Sequence, residues 1–212
     1  MARARLIAIT LAGVAALAAG LWIGQGLSGS QEPPPQVQGF VMSERPPVVP
    51  FTLTDQDGKP FGPERWRGHW SLLYFGYTYC PDVCPTALTE LAQLQKALRE
   101  RNAEGDLHYW MVSVDPQRDS PQRLKTYVHF FSPSFEGATG SEAELKKLMY
   151  QFGVVAMRAP GGGEDSYTID HSSTFTLIDP EGRLIAIFTP PHDPETMLPQ
   201  LLAVQAYYQH IR

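Results

Sequence analysis

An uncharged apolar run, Ser71-Leu72-Leu73-Tyr74-Phe75-Gly76-Tyr77, leads within three residues into the only two cysteines of the chain, Cys80 and Cys84. Beyond them Pro85 suits the first turn of a helix. Leu88, Leu91, Leu94 and Leu98 then recur at helical spacing. A buried strand therefore delivers two thiols to a helix N-terminus. That end of a helix carries partial positive charge, which lowers a thiol pKa and favours the thiolate, the form that attacks disulfides and binds metals. Three residues separate the cysteines, so the sulfurs fall about one helical turn apart. They can converge on one ion or close a small disulfide ring.

The rest of the chain continues the alternation. Phe51 to Thr54 reads as a short strand, closed by the turn Asp55-Gln56-Asp57-Gly58. His108 to Val114 is a second apolar strand. Ser120-Pro121 opens a helix with Leu124, Tyr127, Val128 and Phe131 on one face. Ser141 and Glu144 form the pattern of a capping box ahead of Leu145, Leu148, Met149 and Phe152. A glycine-rich loop at 161–163 precedes two strands, Ser173 to Ile178 and Leu184 to Phe188, joined by the turn Asp179-Pro180-Glu181-Gly182. Asp193-Pro194 starts a terminal helix, which Pro199 is expected to interrupt. Helices alternating with strands and closing on an antiparallel pair predict an α/β fold, a mixed sheet covered by helices, in a thioredoxin-like order with an N-terminal extension.

Ahead of this domain, assigned to residues 51–212, lie two segments of different character. Residues 6–23 carry no charge and follow Arg3 and Arg5. The length and the charge bias predict a membrane anchor helix within 1–23 that sends the remainder across the membrane. A cleaved signal peptide at Ala16-Leu17-Ala18 is the alternative, and Leu21-Trp22-Ile23 extends the apolar run past that point. Residues 24–50 hold six prolines and four glycines and read as a linker.

Without Arg3 and Arg5 the chain retains 15 basic and 22 acidic residues, a net charge of −7. A domain this acidic, with no Lys/Arg block, is no nucleic-acid binder. Two neighbouring cysteines cannot staple distant elements, so the pair reads as a local redox or metal site. Zinc would require further protein ligands, whereas two soft thiolates with one imidazole suit copper. Six histidines are candidates for the imidazole. His69 lies in a turn and reads as exposed, and His108 opens a strand. His129 is off the apolar face of its helix, His192 sits in a Pro-rich turn and His210 near the C-terminus. His171, in the loop before the final hairpin, is placed by a thioredoxin-like topology opposite the cysteine turn.

Three segments carry a resemblance. Gly76-Tyr77-Thr78-Tyr79-Cys80-Pro81-Asp82-Val83-Cys84-Pro85, then Val112-Ser113-Val114-Asp115-Pro116-Gln117-Arg118-Asp119-Ser120-Pro121, then Asp170-His171-Ser172-Ser173 resemble, in order and spacing, the signature segments of the SCO/SenC copper chaperones. The resemblance spans about residues 48–208. It implies one copper ion, Cu(I) or Cu(II), held by Cys80, Cys84 and His171, with Asp115 and Asp170 around the ligands. It further implies a single-pass protein of a bacterial inner membrane with its domain in the periplasm. The implied partners are the copper-accepting subunit of a cytochrome oxidase and another periplasmic copper chaperone or thiol reductase.

Two other activities compete. A thiol–disulfide oxidoreductase would use Cys80 and Cys84 as a redox-active pair without His171. A peroxiredoxin-like peroxidase would place Thr three residues before its reactive cysteine, where this chain has Tyr77. Thioredoxins themselves separate their cysteines by two residues and carry a cis-proline before the final hairpin, where this chain reads Ile169-Asp170-His171.

Overall fold

The structure, a computed structural model, describes residues 13–20, 22, 33–160 and 167–211. Residues 13–20 and 22 are helical. Half of the span expected over residues 6–23 lies outside the described residues, as does the glycine-rich loop at 161–163. Among the described residues no helix is long and apolar enough to cross a membrane. The chain separates into two units between Pro33 and Pro34, and the second holds the fold described below.

Its strands are β1 (Gly39–Val41), β2 (Leu53–Asp55), β3 (Pro60–Phe61), β4 (Trp70–Gly76), β5 (Leu107–Ser113) and β6 (Phe135–Thr139). They continue with β7 (Ala156–Pro160), β8 (Tyr167–His171), β9 (Phe175–Ile178) and β10 (Leu184–Phe188). The helices are α1 (Val83–Glu100), α2 (Pro121–Phe131), α3 (Glu142–Gln151) and α4 (Pro194–Ile211). Eight strands form one sheet in the order β1-β10-β9-β4-β5-β6-β2-β3, and β7 pairs with β8 in a separate hairpin. β4, β5 and β6 are parallel, and β9 runs antiparallel to β4. This is the mixed sheet that the sequence pattern predicts. Six of the seven residues of β4 are buried, because a central strand with helices on both faces has no solvent side.

The two sheet faces are filled differently. Trp110 packs on Phe61 at 4.5 Å, and Phe75 and Trp66 both meet Phe152 at 5.9 Å. On the opposite face Tyr74 meets Phe175, and Trp70 meets Tyr208 of α4. Local signals start and stop the helices. The Ser120 hydroxyl accepts from the Arg123 N–H at 3.2 Å and Pro121 follows as the first helical residue. α1 ends where Asn102 turns to a φ of 52° and the Ala103 N–H returns to the Leu98 carbonyl at 2.8 Å.

Three expectations need correction. The linker assigned to 24–50 contains β1, which pairs with β10 along the sheet edge, and an isolated bridge between Pro47 and Arg183. The three residues of β1 are too few for a periodic signal, so only the open edge of β10 reveals them. α4 runs unbroken from Pro194 through Pro199. Asp193 accepts from the Thr196 N–H and hydroxyl, which secures the first turn ahead of the proline. His171 ends a strand rather than lying in a loop, because β7, absent from the sequence reading, pairs Ala156 with it.

Candidate metal centre

Cys80 and Cys84 sit where β4 gives way to α1. Asp82 occupies the N-cap of α1 but its side chain caps nothing. The Cys80 sulfur substitutes for it, accepting from the Cys84 N–H at 3.4 Å, so a free N–H of the helix end points at the sulfur. Cys84 is fully buried and Cys80 partly exposed. Both thiols are free.

β8 carries the imidazole across. His171 Nε2 lies 3.2 Å from Cys84 Sγ, and the ligand atoms of Cys80, Cys84 and His171 all fall within 4.8 Å of one another. Nδ1 of His171 faces the Ser172 carbonyl at 3.1 Å. A carbonyl only accepts, so Nδ1 holds the proton and Nε2 keeps its lone pair toward the thiols. Hydrogen bonding from Cys84 depresses the Cys80 pKa against the opposing effect of burial, and the backbone N–H groups at Asp82 and Cys84 add to this. The Cys84 pKa rises, first because its proton is held by Cys80 and then through burial. The negative charge therefore rests on the more exposed sulfur. A cation entering among the three donors displaces the one proton held between the sulfurs.

The surrounding side chains hold this geometry. Tyr74 and Tyr77 present rings at 5.9 and 5.8 Å to His171, both edge-on. The Tyr77 hydroxyl accepts from the Ile169 N–H at 3.0 Å, which ties β8 to the cysteine loop. Asp115 is fully buried. It accepts from the Arg118 guanidinium and from the Tyr167 hydroxyl, the latter at 2.7 Å. Arg118 also donates to the Tyr167 carbonyl and stacks 3.6 Å from its ring. Asp115 thus anchors the start of the strand that ends in His171. Asp170 is exposed, because adjacent residues of a strand face opposite ways, and it does not join Asp115 around the ligands.

Asp119 is a member of this shell that residue-by-residue reading passed over. It accepts from the Thr78 N–H and hydroxyl at 3.1 and 2.6 Å and from the Ser113 hydroxyl at 2.7 Å. Burial raises its pKa against those bonds. Its place within the quoted segment Val112–Pro121 was the available signal. Of the other histidines, His129 pairs with Gln56 and His192 lies buried on Phe175. Neither they nor His69, His108 and His210 belong to the cysteine cluster.

A family model described as SCO1/SenC matches residues 43–206. This chain belongs to the SCO1/SenC family. Among individual SCO relatives, the SCO2-like protein RP587 of Rickettsia prowazekii (strain Madrid E) is 41% identical over 140 residues, 66% of this chain and 67% of the relative. The crystal structure of Arabidopsis thaliana ScoI with copper bound superposes with a TM-score of 0.70 at 33% identity, covering 76% of this chain and 98% of that one. BsSco is described as a member of the Sco family of cytochrome c oxidase assembly proteins with a disulfide switch. It superposes at 0.62 with 25% identity, covering 80% of this chain and 98% of that one. These SCO structures share the thioredoxin-like α/β fold with the present chain. Two thiols and one imidazole lone pair, gathered at one point, fit a copper ion.

Proposed function

We propose that this chain binds one copper ion as cargo through Cys80, Cys84 and His171 and delivers it to the dinuclear copper site of a cytochrome oxidase subunit during assembly. The observation that carries the reading is the convergence of the three donors within 4.8 Å, with the His171 lone pair turned inward by the Ser172 carbonyl. Three protein ligands leave room for a donor from the partner, so the metal can leave by ligand exchange. The copper-bound plant relative and the assembly role stated for BsSco support the same direction. The charge-free run 6–23 behind Arg3 and Arg5 supports a tether to the bacterial inner membrane, with the domain in the periplasm.

A second reading is favoured by the unequal thiols. The Cys80 thiolate would attack a disulfide of the oxidase subunit and form a mixed disulfide, releasing one thiolate. Cys84, losing its proton, would then displace the other. The subunit gains two electrons, one proton from Cys84 and a second from water, and Cys80 and Cys84 end as a disulfide.

Copper bound per reduced full-length chain separates the two. The expected result is one tightly held copper, with affinity falling ten- to hundredfold in His171→Ala. A variant that holds copper as tightly as the wild type would remove His171 from the site. A wild type that holds none would leave dithiol reduction as the function.

A further inference from the structure

A second set of metal-type donors lies at the opposite end of β4. His69 immediately precedes that strand, and the Trp70 N–H donates to the Asp106 carbonyl at 3.0 Å. Parallel pairing then sets Trp70 beside Leu107 and Ser71 beside His108. The ladder itself thus brings His69, Asp106 and His108 together, although 36 residues separate Trp70 from Asp106 in the chain. One ring nitrogen of each histidine and a carboxylate oxygen of Asp106 lie within 4.8 Å of one another. His69, which the sequence suggests is an exposed turn residue, is half-buried instead, and its ring lies 3.9 Å from that of His108.

Carboxylates lie at both nitrogens of His108, and Arg65 reaches Glu136 at 3.9 Å. His108 Nδ1 is 3.1 Å from Glu136 Oε1, an acceptor, so Nδ1 carries a proton. The other nitrogen, Nε2, lies 3.3 Å from Asp106 Oδ1. Nε2 of His69 is buried with no hydrogen-bond partner. Two imidazoles and one carboxylate therefore converge at this end of the strand. Tetrahedral bonds of about 2.0–2.1 Å place neighbouring ligand atoms about 3.3 Å apart, the separation already present between His108 and Asp106. A doubly protonated His108 would satisfy both carboxylates, but it would set a charge against the His69 ring and still leave His69 Nε2 unpartnered.

We propose that His69, His108 and Asp106 form a second metal site, for a divalent ion of the zinc or Cu(II) type, with Glu136 orienting His108. Nitrogen and carboxylate donors suit these ions, and the Glu136–His108 pair is the arrangement by which a carboxylate fixes a ligating imidazole. The site is independent of the cysteine centre, because the seven residues of β4 span roughly 20 Å between them.

The test uses the full-length chain carrying C80S, C84S and H171A, which removes the first centre, titrated with Zn(II) against a chromophoric chelator. One ion per chain is expected. Adding His108→Gln is expected to weaken binding at least tenfold, and Asp106→Asn severalfold. His69→Ala should match His108→Gln. His108 is 38% exposed, so its replacement is tolerated by the fold and decides the matter if the His69 variant misfolds. With Cu(II), the expected paramagnetic resonance signature is coupling to two imidazole nitrogens, lost in His108→Gln. Absence of Zn(II) binding in the triple variant, or binding unaltered by His108→Gln, would overturn the proposal.

Discussion

Gly76 shows how tightly the cysteine centre is packed. A Cβ placed there would lie 2.6 Å from Tyr74 Cε1 and 3.0 Å from Cys84 Sγ. Both neighbours are fully buried, so neither has room to retreat. Gly76→Ala is expected to destabilise the fold by about 1–3 kcal/mol through overpacking and to weaken copper binding by displacing Cys84. Denaturant unfolding and copper competition on the same variant check both, and a variant of wild-type stability would contradict the argument. Tyr167 offers a milder probe on the far side. Tyr167→Phe removes the 2.7 Å hydrogen bond to buried Asp115, at a cost of about 1–2 kcal/mol. Copper affinity is expected to fall severalfold, because β8 loses an anchor while the three ligands stay in place. Unchanged affinity would show that Tyr77, Arg118 and the pairing with β7 hold the strand without this bond.

Among the elements, those legible in the sequence are the ones that local physics decides. Ser120-Pro121 starts α2 with the expected cap. The turn after Asp179 forms around its own carboxylate, with Gly182 at a φ of 75°. The capping box at Ser141 is only half realised. Ser141 accepts from the Glu144 N–H, but the Glu144 carboxylate accepts from the Thr52 N–H instead of turning back. A tertiary donor replaced the local one. β1 depends wholly on such contacts. Arg45, just beyond it, donates to fully buried Asp179 at 2.7 Å, and Arg183 donates to the Arg45 carbonyl. Arg45→Ala is expected to cost about 2 kcal/mol, because buried Asp179 loses the guanidinium that donates to it. Thermal unfolding that leaves the midpoint unmoved would assign no stability to this clasp.

For the whole molecule, His192 links stability to pH. Its ring stacks on Phe175 at 4.0 Å, and Nε2 donates to the Ser173 carbonyl at 2.6 Å. Burial lowers its pKa in the folded state, so between that value and about 6.5 the unfolded chain binds more protons. Stability is therefore complete above about pH 6.5 and declines as the pH falls toward the folded-state pKa. His192→Phe is expected to flatten this part of the profile, as read from unfolding free energies between pH 5 and 8. A slope that survives the substitution would place the linkage in other groups.

The chemistry of this protein is written locally and its geometry is not. Residue types and short spacings were sufficient to mark the strand–thiol–helix unit, the helix caps and the copper-type donor set. Each depends on neighbours within a turn or two, whereas the order of elements only made His171 a candidate and the family resemblance of its segment selected it. Which carboxylate supports the site, why His171 ends a strand, where the first edge strand lies and how His69 meets His108 were decided by strand pairing between segments far apart in the chain. The hydrogen bonds of a sheet join residues whose separation in sequence carries no period, so only the folded chain reveals those partners.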